Sequence, residues 1–374
     1  MAVYKIFPEK DATLYSEYSD MNTGRDEILE IASFYKGTES FVNRSVIAFD
    51  STEVANVLES HVSSSTRLAT QFSASIKLFL ASANELPTGY TLEAHPVYAN
   101  TPGTWTVGNG KYGDSPRNSS GVSWDFIDTS GSYSWATIAN VTASYSGSTI
   151  GGGAWYTGSG AYDFSNMSQY HAVNSTHDLD VNVTEGVKAH YTGEISNAGF
   201  LLKLSDDLEF QTDRQMYLRY FSSDTHTIYP PCLEIRWDDF ENDATLNEVS
   251  DPNIVLKIKN NRGKYSDVGK QRFNLHVRPK FPARTFATSS AYTTNYYLPT
   301  SSYWGLRDEN TEEMVIDFDT TFTKISRNST GNYFDVYMEG LEPERHYRVL
   351  IKSEIDGSTN VIDEDLVFKV VRNG

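Results

Sequence analysis

Apolar side chains along this chain recur mostly at every second position, the period of a strand with one buried face. Leu233, Ile235 and Trp237 alternate with Glu234 and Arg236; Ile76, Leu78 and Leu80 share one face of residues 75–82, and Lys77 and Phe79 the other; Phe200, Leu202 and Leu204 make another such run. Residues 6–31 read as a strand, a turn-rich loop and a second strand, with 233–237 as the expected partner that closes one domain. Residues 90–99 make a further strand, and Pro96 within it predicts an edge or a bulge, because proline cannot donate to a ladder. Two short stretches depart from period 2 and predict helices. Val54, Val57, Leu58 and Val62 fall on one helical face with Ser51 or Thr52 as N-cap, and Thr184 caps a second helix that Thr192-Gly193 ends.

Toward the C-terminus five more alternating runs follow: Phe273/Leu275/Val277, Met314/Ile316/Phe318, Phe334/Val336/Met338, Tyr347/Val349/Ile351 and Leu366/Phe368/Val370. Runs so closely spaced predict a second, smaller sandwich of the immunoglobulin or fibronectin type. Ahead of them Asp238-Asp239-Phe240-Glu241-Asn242-Asp243 has no apolar periodicity and marks a boundary. The expected organisation is one β-sandwich over 1–240, a linker at 241–253 and a second sandwich over 254–374. In the latter, Leu341-Glu342-Pro343-Glu344-Arg345-His346-Tyr347 resembles the tyrosine corner of fibronectin type III domains, with Leu341, Pro343 and Tyr347 as its structural residues; there the phenol oxygen ties a loop back to the backbone.

In the first 240 residues several short motifs follow one another in a characteristic order. They are Asp11-Ala12-Thr13-Leu14-Tyr15, Asn22-Thr23-Gly24, residues 28–31, Arg44-Ser45-Val46-Ile47-Ala48-Phe49-Asp50, residues 75–80, His95-Pro96-Val97-Tyr98 with Thr104-Trp105, Asn182-Val183-Thr184-Glu185-Gly186-Val187, and Gly199-Phe200-Leu201-Leu202-Lys203. This order resembles the DNRLRE family of β-sandwich domains, found on bacterial surface proteins and phage structural proteins, over residues 6–238. The chain departs from the family pattern at Asn182, where Asp is usual, at His190, where Trp is common, and in a longer segment between Trp105 and His177. The resemblance implies an antiparallel jelly-roll-like sandwich with a long insertion at about 100–175, an adhesive or architectural role, and no catalytic residues. Phage virion proteins that share the domain commonly carry a Gly-rich, Trp-containing segment, as here at Gly151-Gly152-Gly153-Ala154-Trp155-Tyr156. The expected fold class is all-β.

Composition narrows the function. The 374 residues include 24 Tyr, 19 Phe and 6 Trp, a texture of strands and turns. With 31 basic against 49 acidic side chains the formal net charge is −18, which offers no basic surface to displace phosphate counterions, so nucleic acid is not an expected partner. The single cysteine, Cys232, sits in a strand run and reads as a small buried hydrophobe. Residues 1–5 lack the apolar core of a secretory signal, and no long apolar run suggests a membrane span, so membrane is not an expected partner either. A soluble protein with the texture of an extracellular β protein fits a virion protein released by lysis.

Candidate chemistry is sparse. No nucleophile elbow, metal-binding helix, paired cysteines or calcium loop can be read, and Gly103 with Gly108 lacks the Lys and Ser or Thr that a phosphate loop needs. Carboxylate pairs at Asp178/Asp180, Asp206/Asp207, Asp317/Asp319 and Asp363/Glu364/Asp365 could serve glycoside hydrolysis or calcium, but in so acidic a chain they read as solvated edges. His171 and His177 stand at ligand spacing in a polar loop. Trp105, Trp124, Trp135, Trp155 and Tyr156 could form a sugar-stacking platform, a core or a subunit interface. The weakly charged segment 140–175 is expected to form a subunit contact, with Trp135, Trp155, Tyr156, Tyr162 and Phe164 as its anchors and self-packing as the alternative. No enzyme activity and no cofactor or metal is expected. The sequence therefore points to a structural protein of a tailed bacteriophage virion, joined to other virion proteins in a symmetric homo-oligomer. A glycan-binding adhesin with a host surface glycan as partner is the alternative.

Overall fold

The computed structural model describes residues 2–62, 68, 71–99, 105–128, 133–135, 145–147, 151–159, 161–242, 247–259, 261–282 and 296–372. Gly103, Thr104 and Asp243, quoted above, lie outside them, as does the side chain of Tyr145. The strands are β1 (Ala2–Ile6), β2 (Pro8–Tyr15), β3 (Ile28–Lys36), β4 (Glu39–Phe49), β5 (Phe72–Leu78), β6 (Leu80–Asn84) and β7 (Gly89–Pro96), then the short β8 (Phe126–Asp128), β9 (Tyr133–Ser134), β10 (Tyr145–Gly147), β11 (Ala154–Tyr156), β12 (Gly158–Ser159) and β13 (Tyr162–Asp163). They are followed by β14 (Ser168–Ala172), β15 (Leu179–Asn182), β16 (Phe200–Leu204), β17 (Met216–Phe221) and β18 (Cys232–Trp237), with helices α1 (Ser51–His61) and α2 (Thr184–Thr192). Among the described residues the fold is all-β apart from these helices, a helical position at 68 and single turns.

Two units emerge, residues 6–68 with 73–234, and residues 1–5 and 69–72 with 235–374. The division falls between Glu234 and Ile235, ahead of the acidic break at 238–243. In the first unit an antiparallel sheet runs β14-β7-β16-β4-β3-β17-β6, with β2 also on β4. β18 pairs with neither β2 nor β3, so 233–237 is not the partner of the two strands of 6–31. Those two share β4, which is long enough to take both: Thr13 of β2 lies opposite Ser45 and Phe34 of β3 opposite Phe41. Nor does Pro96 mark an edge. It is the last residue of β7, opposite Phe200, and β7 lies between β14 and β16.

The helices form where the 3.6-residue spacing predicts, with different caps. Asp50, not Ser51 or Thr52, caps α1, its carboxylate accepting from the Thr52 amide at 2.7 Å. In α2 Thr184 is the first helical residue and no side chain caps the helix from Val183. Asn182 Oδ1 accepts from the Thr184 amide at 3.0 Å and its hydroxyl at 2.7 Å. Gly193 ends α2 at φ +73°, a left-handed conformation that glycine adopts without cost.

His190 of α2 packs on Phe200 at 5.2 Å between ring centroids, and burial pushes its imidazole pKa down to about 3. Between about pH 6.5 and pH 3 the unfolded chain binds a proton there that the folded chain refuses, so stability falls as pH falls. At pH 5 this should cost about 2 kcal/mol relative to pH 8. Asp11 works in the opposite sense, since burial raises its pKa to about 7 despite two hydrogen bonds from Ser223. The His190 contribution is therefore read as a difference: in urea unfolding at both pH values, His190→Phe should lose less stability than the wild type on acidification. Equal losses would remove His190 from the account.

The second unit contains β19 (Ile254–Lys259), β20 (Lys264–Ser266), β21 (Lys270–Pro279), β22 (Ser302–Asp308), β23 (Met314–Ile316), β24 (Ser326–Asn328), β25 (Gly331–Tyr337), β26 (His346–Ile355) and β27 (Ser358–Val371). One sheet runs β19-β21-β25-β24 and the other β20-β27-β26-β22-β23. The inward residues of the alternating runs fill its core, where the buried rings of Phe273, Phe334 and Trp304 stack in sequence at 5.4 and 5.0 Å. Tyr347 is buried and its hydroxyl donates to the Glu342 carbonyl oxygen at 3.0 Å, with Leu341 buried beside the turn and Pro343 half-buried within it. This is the geometry of a tyrosine corner.

Candidate binding site

The motif residues of 6–31 act as fasteners. On β2, Ala12 and Leu14 enter the core while Asp11 and Thr13 turn to a buried polar side. The Thr23 hydroxyl donates to Thr13 O at 2.8 Å and accepts from Thr13 N at 3.0 Å, and Thr13 Oγ1 accepts from the Glu30 amide. Asn22, fully buried, donates to the carbonyls of Val107 and Val122 at 2.8 and 2.9 Å and accepts from the amides of Gly110 and Gly24. One side chain thus ties the opening loop to the start of the insertion. Gly24 is required by the same approach, because a Cβ there would lie 1.9 Å from Val107 O.

The aromatic segment folds back on its own sandwich. Trp105, Trp124, Trp135 and Trp155 are buried together with Leu14, Val46 and Leu201. Trp105 Nε1 donates to Ala198 O and Trp135 Nε1 to Ser123 O. Gly151 to Gly153, all at positive φ, let the backbone lie against the Trp124 ring, where a Cβ on Gly152 would come within 2.6 Å. The subunit contact expected of Trp135, Trp155 and Phe164 must be corrected, since all three lie in their own interior; Tyr156 and Tyr162 are half-buried. The reason is local, for the glycines bring the chain close to its own tryptophan instead of a neighbour. The sugar-stacking platform of these tryptophans is excluded by the same burial.

Between Trp124 and Trp155 lies Arg44, its guanidinium 5.3 and 5.2 Å from the two ring centres. It grips Glu209 with two hydrogen bonds, at 2.9 and 2.5 Å, and donates to Gly152 O at 2.7 Å. Both charged side chains are only 3% exposed. Lys203, fully buried, stands 3.8 Å from the same carboxylate. Bidentate geometry and two aromatic faces offset the desolvation of a buried pair.

Glu209 belongs to the loop between β16 and β17, and this loop walls a cleft of about 430 Å³. The cleft opens at the end of β3 and is lined by Ser33, Tyr35, Glu85, Pro87, Thr88, Leu208, Gln211, Asp213, Arg214, Gln215 and Met216. Its size falls within the range of small-ligand sites, about 300–1,000 Å³. The floor is held by the pairing of Met216 with Ser33, and the wall by Glu209 and by the Ser40 hydroxyl donating to Gln211 O at 3.2 Å. Glu85 at its margin has φ +55°, an uncommon conformation for a residue with a side chain. Among the described residues, the Ser33 hydroxyl is buried with no hydrogen-bond partner. Sequence reading missed this site because its residues come from three separated segments, none with a motif.

Most of the other candidates are engaged elsewhere. Asp178 accepts from the Leu80 amide, Asp180 pairs with Lys77, Asp206 with Lys203, Asp319 with Arg236, and Asp363 and Asp365 with Arg348. His171 and His177 both pack on Tyr90, their own rings 6.2 Å apart, with His171 bonding Thr176 O and His177 the Tyr90 hydroxyl. Among the described residues no group of three metal-ligating side chains converges, and no helix is long and apolar enough to cross a membrane. Cys232 is buried.

No family model matches the chain, and no curated protein matches it. Among solved structures, the adhesin domain of Epf from Streptococcus pyogenes aligns over 98% of this chain and 99% of its own, at 9% identity and a TM-score of 0.17.

Proposed function

We propose that this chain is a non-enzymatic structural protein of a tailed-bacteriophage particle, of the DNRLRE type, that assembles through contacts made by rigid β-sandwiches. The observation that carries this reading is the use of the aromatic insertion. Its tryptophans and Arg44 lock it onto the sandwich, while Tyr112, Tyr133 and Tyr170 stand 51%, 47% and 67% exposed on its outside. Tyrosines are enriched at interface cores, and a rigid mount lowers the entropy cost of using them. Repetition in a symmetric particle multiplies such contacts.

Mass spectrometry of purified particles tests this reading first: the protein should be present in many copies, and its absence would sink the proposal. Next, Tyr112→Ser combined with Tyr170→Ser should leave melting unchanged while blocking incorporation into particles. Normal incorporation would move the contact elsewhere. A second reading, attachment to a host glycan, is favoured by the cleft at Tyr35.

A further inference from the structure

We infer that the cleft at Tyr35 is a saccharide site for a neutral, hydroxyl-rich pyranose unit, an inference that rests on the attachment reading. The lining matches that chemistry and disfavours others. Tyr35 supplies a ring face for the apolar face of a pyranose, and Pro87, Leu208 and Met216 continue the apolar wall. Gln211 and Gln215 offer amides that both donate and accept, Thr88 offers a hydroxyl, and Glu85 and Asp213 accept from sugar hydroxyls. Against two carboxylates stands one cation, Arg214, itself 63% exposed and 4.0 Å from Asp213, so phosphates and acidic sugars are repelled. The anchored Glu209 keeps the wall in place before binding, which reduces the ordering cost.

The experiment uses the full chain on an array of gluco-, galacto- and manno-configured neutral oligosaccharides beside sialylated ones, with titration calorimetry on any hit. At least one neutral oligosaccharide should bind, with affinity reduced about tenfold or more in Tyr35→Ala. Asp213→Ala, at an exposed position that cannot unfold the unit, should also weaken binding with unchanged melting. Absence of any neutral hit, preference for sialylated sugars, or affinity kept in both variants would overturn the inference. Competition for adsorption separates it from the reading beneath it. If wild type and Tyr35→Ala both block particle adsorption to host cells, attachment stands and the cleft falls; if a neutral sugar binds at Tyr35 but neither chain blocks, the cleft stands and attachment falls.

Discussion

Arg44→Met should lower the unfolding free energy of the 6–234 unit by about 3 kcal/mol, the low end of the range for breaking a buried ion pair. The loss has two parts. Glu209 loses both hydrogen bonds of its bidentate partner at a site only 3% exposed, and Gly152 O loses its donor. Lys203, still 3.8 Å from Glu209, holds the cost at the low end. Urea unfolding followed by tryptophan fluorescence measures it, since Trp124 and Trp155 flank the guanidinium. Adding Glu209→Leu to Arg44→Met should recover much of the loss, because an apolar pair of similar volume leaves no unpaired charge. A single-variant loss below about 1 kcal/mol would mean that Lys203 alone satisfies Glu209.

Asn22→Ala is the second large effect, about 4–5 kcal/mol, because it strands two carbonyls and two amides at about 1–3 kcal/mol each. Asn22→Asp distinguishes the halves of the interaction. It keeps the acceptor for Gly110 and Gly24 but turns a carboxylate oxygen toward Val107 O and Val122 O, so it should be nearly as damaging. Melting temperature gives the size, and proteolysis gives the place: residues 105–122 should become the first site of cleavage. Wild-type melting in Asn22→Ala would show that the insertion is held without this hub.

The sequence made some of this legible and concealed the rest for identifiable reasons. Period-2 runs located the strands because each has one face in a core, as Phe273, Leu275 and Val277 do. Tyr347 was legible because its partner lies five residues away, within one motif. Strand partners were not, since nothing in 6–31 reveals that β4 would serve both of its strands. Asp50 escaped as a cap because three adjacent residues could all fill that role. The fate of the tryptophans depended on Arg44 and the Gly151–153 turn, which lie about a hundred residues apart in the chain but adjoin in space. The cleft was the least legible feature, as Ser33, Glu85 and Gln211 are ordinary residues until the fold assembles them.

Residues 1–5 belong to the unit built chiefly from 235–374. Val3 completes that unit's core, Lys5 Nζ donates to Val315 O and the Tyr4 hydroxyl to Glu339, partners 310 and 335 positions away. These contacts cannot form until residues 315–339 have been made. Closing so long a loop adds little equilibrium cost but slows the search. A fragment that begins at residue 250 therefore lacks Val3, Tyr4 and Lys5, and with them part of this unit's core and two of its long-range hydrogen bonds.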